Sequence, residues 1–126
     1  MDESRIAQLV KDELAGRPEL LRAPYKARVA AGAHPLTGHC YVGSEAMWHL
    51  LGGRGAGWKP VSVRYGGSTH WWLEHMDGRR LDVTAEQFPC DPPYAKGRGR
   101  GFLTCQPSRR ARVILDIVKE KLNSPT

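Results

Sequence analysis

Cys40, His70 and Asp82 are the side chains whose types and order could carry covalent chemistry: a thiol nucleophile, an imidazole base and a carboxylate to orient that base. His70 would draw the proton from Cys40 to give a thiolate–imidazolium pair. Asp82 would fix the imidazole tautomer and stabilise its charge. Cys40 opens a stretch in which Val42, Ala46, Met47, Leu50 and Leu51 share one helical face before the stop at Gly52-Gly53. A thiol in the first turn of a helix meets unpaired N–H groups and a partial positive charge, which favour the thiolate and could later hold an oxyanion. The other histidines are poorer bases for it. His39 cannot easily fold its ring onto the adjoining thiol, and His75 falls on the predicted core face. His34 and His49 have no carboxylate partner that the sequence identifies.

The element that must bring base and carboxylate together is the stretch from His70 to Thr84, a β-prone arm, a turn carrying Asp77-Gly78 and a second alternating arm. A two-residue loop would set Leu73 against Asp82 and Trp71 against Thr84, leaving neither face apolar. A three-residue loop, Met76-Asp77-Gly78 with Gly78 left-handed, shifts the pairing by one residue. Leu73 then faces Leu81 and Trp71 faces Val83, giving one core face. His70, Trp72, Glu74, Arg80, Asp82 and Thr84 fall on the other, with His70 and Asp82 as diagonal neighbours. The register that satisfies burial therefore also brings a base to its orienting carboxylate.

Around this hairpin, Val61, Val63 and Tyr65 alternate as a strand, and Gly66-Gly67-Ser68-Thr69 turn the chain. Ile6, Leu9, Val10 and Leu14 predict an N-terminal helix closed near Gly16. A second short helix is expected to begin near Pro18 or Pro24 and end before Gly32, as packing or as a lid. Residues 32–39 read as a loop, and the proline-rich stretch from Gln87 to Tyr94 can sustain neither a helix nor a central strand. Ala111, Ile114, Leu115, Val118 and Leu122 form the stripe of a C-terminal helix starting near Ser108. The expected fold is α+β: a small antiparallel sheet packed on the helix that bears the nucleophile, with helices at both ends of the chain.

The order of Gly38-His39-Cys40-Tyr41, then His70-Trp71-Trp72-Leu73-Glu74, then Leu81-Asp82-Val83-Thr84 resembles the catalytic core of transglutaminase-like and papain-like cysteine enzymes. It is most similar to small bacterial and phage proteins of the YunG-like type, which carry such a His-Trp hairpin followed by Asp-x-Thr-x-x-Gln-Phe, here Asp82 to Phe88. The resemblance covers about residues 34–90. It implies a papain/transglutaminase-like core in which Cys40 is the nucleophile, His70 the base and Asp82 the third member. In the papain pattern a glutamine before the cysteine serves the oxyanion; this chain has His34 and Thr37 there instead. Gln87 is therefore an oxyanion candidate, and His39, Tyr41 and Trp72 are further candidates for the oxyanion or for substrate contact.

With 126 residues the chain is expected to form one domain, residues 1–126. Its parts are a helical extension over 1–31, a catalytic core over 34–90 and a helix over 107–123. The sequence holds no run of apolar residues long enough to span a membrane and opens without a signal-peptide pattern, so a cytoplasmic protein is expected. Three cysteines without paired spacing argue against a disulfide scaffold. No spacing supports a metal site built from Cys40 and histidines, and no phosphate- or dinucleotide-binding loop is present, so no cofactor is expected. The expected activity is cysteine-dependent acyl transfer on a peptide, protein or small amide. The net charge of +6, with Arg98, Arg100, Arg109, Arg110 and Arg112 in two clusters, raises the alternative of a nucleic-acid-binding or interaction module on an inactive papain-like fold, with an acidic or nucleic-acid partner.

Overall fold

The computed structural model describes residues 2–102 and 104–124. Among these residues there are four α-helices and a four-stranded antiparallel sheet; the third helix packs on the sheet, and the first and fourth pack on the third. Helix α1 (Glu3–Ala15) is capped by the Asp2 carboxylate, which accepts the Arg5 N–H, and it buries Ile6, Val10 and Leu14. A short 3-10 turn (Pro18–Leu20) leads to α2 (Ala23–Ala30), which has Pro24 in its first turn and contains no buried residue. Of the helical front third, α1 packs Ile6, Val10 and Leu14 into the core, while α2 adds no buried residue to it. Helix α3 (Cys40–Leu50) begins on Cys40 and buries the expected face. Gly52, at φ 95°, ends it in the left-handed region.

Strand β1 (Trp58–Tyr65) pairs with β2 (Ser68–His75), with Val63 opposite His70 and Pro60 opposite Leu73. Only Gly66 and Gly67, at φ 59° and 81°, make the turn between them; Ser68 and Thr69, expected there, already belong to β2. Strand β3 (Arg80–Leu81) pairs with β2, and β4 (Arg98–Gly99) adds to the far edge of β1, giving the order β3-β2-β1-β4. Helix α4 (Arg109–Asn123) buries Ala111, Ile114, Leu115 and Val118 against α1 and α3. Its N-terminus is tied to the core by Glu45, whose fully buried carboxylate accepts both the Ser108 N–H (2.8 Å) and hydroxyl (2.6 Å).

The hairpin register is the one that burial selects. Leu73 pairs with Leu81 and Glu74 with Arg80, while His75 N–H bonds to Arg79 O across Met76-Asp77-Gly78, with Gly78 at φ 97°. One expectation is corrected. Trp71 was placed in the core and Trp72 on the opposite face, yet Trp71 is half-buried and Trp72 fully buried. The reason is that β2 is covered on both sides. Trp71 stacks on Phe102 and meets the edge of Tyr41, whereas Trp72 lies under the irregular segment that follows the hairpin, against Tyr94 and Gly97. A Cβ on Gly97 would stand 2.4 Å from the Trp72 ring, so this cover depends on a glycine. Among the described residues no helix is long and apolar enough to cross a membrane.

Candidate active site

Gly38, at φ 83°, turns the chain into α3; a side chain there would also strike Tyr25, 2.5 Å from an added Cβ. The turn delivers Cys40 to the first position of the helix with no side-chain cap ahead of it, and the first bond into the helix runs from Gly43 N–H to His39 O. The thiol is half-buried and points to the Thr69 carbonyl at 3.5 Å, one residue before His70. Cys90 and Cys105 are exposed.

His70 is 2% exposed, and its Nε2 lies 2.6 Å from Asp82 Oδ2. Asp82 sits just past β3, where its Oδ1 accepts the Thr84 N–H (3.3 Å) and so turns the chain onto itself. Thr84 is fully buried and its hydroxyl accepts from Gln87 Nε2 at 3.0 Å. Phe88 meets the His70 ring edge-on at 4.8 Å, and Trp72 stacks beside it at 5.7 Å. The Asp-x-Thr-x-x-Gln-Phe run is thus a compact frame around one imidazole. Because Nε2 is held by Asp82, the free position is Nδ1, which is buried and has no hydrogen-bond partner among the described residues. Cys40 is near enough to raise the pKa of this ring, and its sulfur lies 3.5 Å from the Thr69 carbonyl.

The electrostatics of His70 set burial against charge. Burial disfavours the imidazolium, but the Asp82 hydrogen bond, the neighbouring Cys40 sulfur and the charges of both outweigh it and raise its pKa to about 9. A residue that the sequence reading missed completes the group. Tyr94 donates its hydroxyl to Asp82 Oδ2 at 2.8 Å, and the Arg80 guanidinium lies 3.6 Å over its ring. Burial first, then the Asp82 hydrogen bond and charge, push the Tyr94 phenol upward, so it remains a donor. Nothing in the spacing of Pro92-Pro93-Tyr94 points to this role; it arises from the fold-back of an irregular loop.

Two cavities share Cys40, Tyr25, Gly38, Ser68 and Thr69 as a common wall. The smaller, about 510 Å³, extends over His70, Gln87 and Phe88; the larger, about 800 Å³, runs past Tyr41 and Trp71 to the start of α4. Tyr25 of α2 bonds across the shared wall to Ser68 of β2 at 3.1 Å. Cys40, His70 and Gln87 thus meet at one cavity, and Tyr41 lines the other. Two candidates lie elsewhere. Trp72 is sealed behind His70 with its indole N–H on Glu74. His39 lines neither cavity; it is 1% exposed with both nitrogens unpartnered among the described residues, and burial lowers its pKa to about 4 despite the opposing charge of Glu19. Neither is placed to touch substrate. Arg109 and Arg110 line the larger cavity, whereas Arg98, Arg100 and Arg112 are exposed and line neither. Among the described residues no three His, Cys, Asp or Glu side chains gather as a metal-ligand set.

The chain matches no protein-family model, no curated protein and no solved structure. Its resemblance to papain-like and transglutaminase-like enzymes therefore rests on the residues quoted for it.

Proposed function

We propose that this protein is a cysteine-dependent acyl-transfer enzyme that cleaves or exchanges an amide, isopeptide or related acyl bond, with Cys40, His70 and Asp82 as its triad. The observation that carries the reading is the His70 ring: Nε2 fixed on Asp82, Nδ1 buried and unpartnered, and Cys40 beside it at a cavity wall. The α+β layout, with the cysteine opening a helix against an antiparallel sheet that bears the histidine, supports a papain/transglutaminase-like core.

In this mechanism Nδ1 takes the thiol proton and the sulfur attacks the acyl carbon, forming a C–S bond and an oxyanion. The first-turn N–H of Cys40 and the Gln87 amide, which lines the same cavity, are the candidate donors to that oxygen. Collapse breaks the C–N bond while the imidazolium gives its proton to the leaving amine. Water or a second amine then attacks the thioester, loses a proton to His70, and releases the acyl group as sulfur leaves. Asp82 holds the tautomer throughout, and Tyr94 holds Asp82.

An activated ester tests the reading without knowledge of the substrate. Incubation with p-nitrophenyl acetate is expected to release a burst of nitrophenol and leave an acetyl group on the Cys40 peptide by mass spectrometry. Cys40→Ala should abolish both, and His70→Ala should reduce the burst rate by ~100-fold or more. Acetylation only at Cys90 or Cys105, or a burst that survives in Cys40→Ala, would refute it.

A further inference from the structure

The larger cavity beside Cys40 is cationic in a way that nothing in the triad requires. Arg22 from the start of α2, Arg64 from β1, and Arg109 and Arg110 from α4 all line it, together with Trp71 and Cys40. These segments are far apart in sequence, and the fold brings the four arginines to the wall of one hollow. Among the described residues no Asp or Glu lines either cavity, and none of the four arginines forms an ion pair. Most of the other described arginines form no ion pair either, Arg17 and Arg79 excepted, so what sets these four apart is that they share one cavity wall with the nucleophile. Arg109 and Arg110 also stand in the first turn of α4, where the helix dipole opposes cations. An anion in the cavity would relieve that cost.

We propose that this cavity is the binding site for an acidic peptide segment, so that the acyl-transfer centre acts on peptides with carboxylate side chains flanking the scissile bond. The inference rests on the acyl-transfer reading for its choice among anions. A thiol nucleophile needs a carboxyl-derived carbonyl, which a peptide offers and a nucleic-acid backbone does not. The placement of charge agrees: Arg22, Arg64, Arg109 and Arg110 share one hollow with the nucleophile, whereas Arg98, Arg100 and Arg112 line neither cavity and do not extend that cluster into a track for a phosphate backbone.

The test measures binding in Cys40→Ala, which cannot turn over, by fluorescence anisotropy with labelled Glu-rich, Lys-rich and Gly/Ser-rich octapeptides. The Glu-rich peptide is expected to bind tightest and to weaken steeply with salt. Adding Arg64→Gln, Arg109→Gln and Arg110→Gln should lower its affinity by ~10-fold, each exposed cation being worth a few-fold. A charge-matched triple, Arg98→Gln, Arg100→Gln and Arg112→Gln, should lower it by less than ~3-fold. Should the cavity triple fail to fold, Arg64→Gln alone, at an exposed strand position, must weaken binding ~2- to 5-fold. Equal loss in both triples, or no preference for the Glu-rich peptide, would overturn the proposal. So would a single-stranded oligonucleotide that binds the same arginines more tightly than the peptide. Binding is read without the thiol and the ester burst without the peptide, so each claim can fail alone.

Discussion

At the scale of single residues, the behaviour of His70 is decided by a contest between burial and charge. Burial favours the neutral ring, and Asp82 with Cys40 reverses that preference. Asp82→Asn removes the larger opposing charge, so the His70 pKa, followed by NMR of its ring protons, is expected to fall from about 9 toward or below the ordinary 6.5. A ring that still titrates near its wild-type value would show that Asp82 does not hold it. His39 shifts the other way, down to about 4. Linkage gives the two limbs of the stability profile. The contribution of His70 is present below about pH 6.5 and is lost as pH rises through about 9. The buried neutral His39 costs nothing above about pH 6.5 but increasingly opposes folding as pH falls toward about 4. Urea unfolding should therefore show stability falling on both sides of about pH 6.5, toward about 9 and toward about 4. His39→Leu should flatten the acid limb and leave the alkaline one; an unchanged acid limb would contradict the burial of a neutral ring.

Elements were legible where burial and periodicity dictate them, and illegible where close approach does. The register of the hairpin followed from the need to place Leu73 and Leu81 on one face, and the same shift put His70 within 2.6 Å of Asp82. The faces of α3 and α4 followed from helical spacing. What the pattern could not carry was the second cover of the sheet. Alternation marks a face as polar or apolar, and His70, Glu74 and Asp82 made theirs look solvent-facing. The segment laid over Trp72 has no periodicity and is admitted only because Gly97 has no side chain. Gly97→Ala is therefore expected to destabilise the fold by ~1–3 kcal/mol, the range for overpacking a filled interior. Because Tyr94 lies three residues earlier, the variant should also lower the ester-burst rate; a neutral Gly97→Ala in denaturant titration would mean that the segment is not seated on Trp72.

At the scale of the whole molecule, the grouping of Cys40, His70 and Asp82 was readable because each lies in or beside an element with its own sequence signature: a helix start, a strand and the end of a hairpin arm. The cavities around it were not, because their walls are assembled from Tyr25, Ser68, Trp71 and Arg109, residues with no common local pattern. The five arginines first grouped by sequence divide in space, two at the cavity and three elsewhere, and Arg22 and Arg64 join the two only in the fold. Activation of one thiol over two others is the property that this arrangement must produce if it is an enzyme. Access alone would have Cys90 and Cys105 alkylated first, since both are exposed and Cys40 is half-buried. The direct measurement is the rate of alkylation of each cysteine by limiting iodoacetamide at about pH 6.5, where an unassisted thiol is about one part in a hundred ionised. Cys40 should react first despite its burial, by ~10-fold or more over Cys90 and Cys105, and His70→Ala should remove most of that advantage. If Cys40 reacts no faster than the exposed pair, and His70→Ala changes nothing, there is no activated thiol here and the enzymatic reading is wrong.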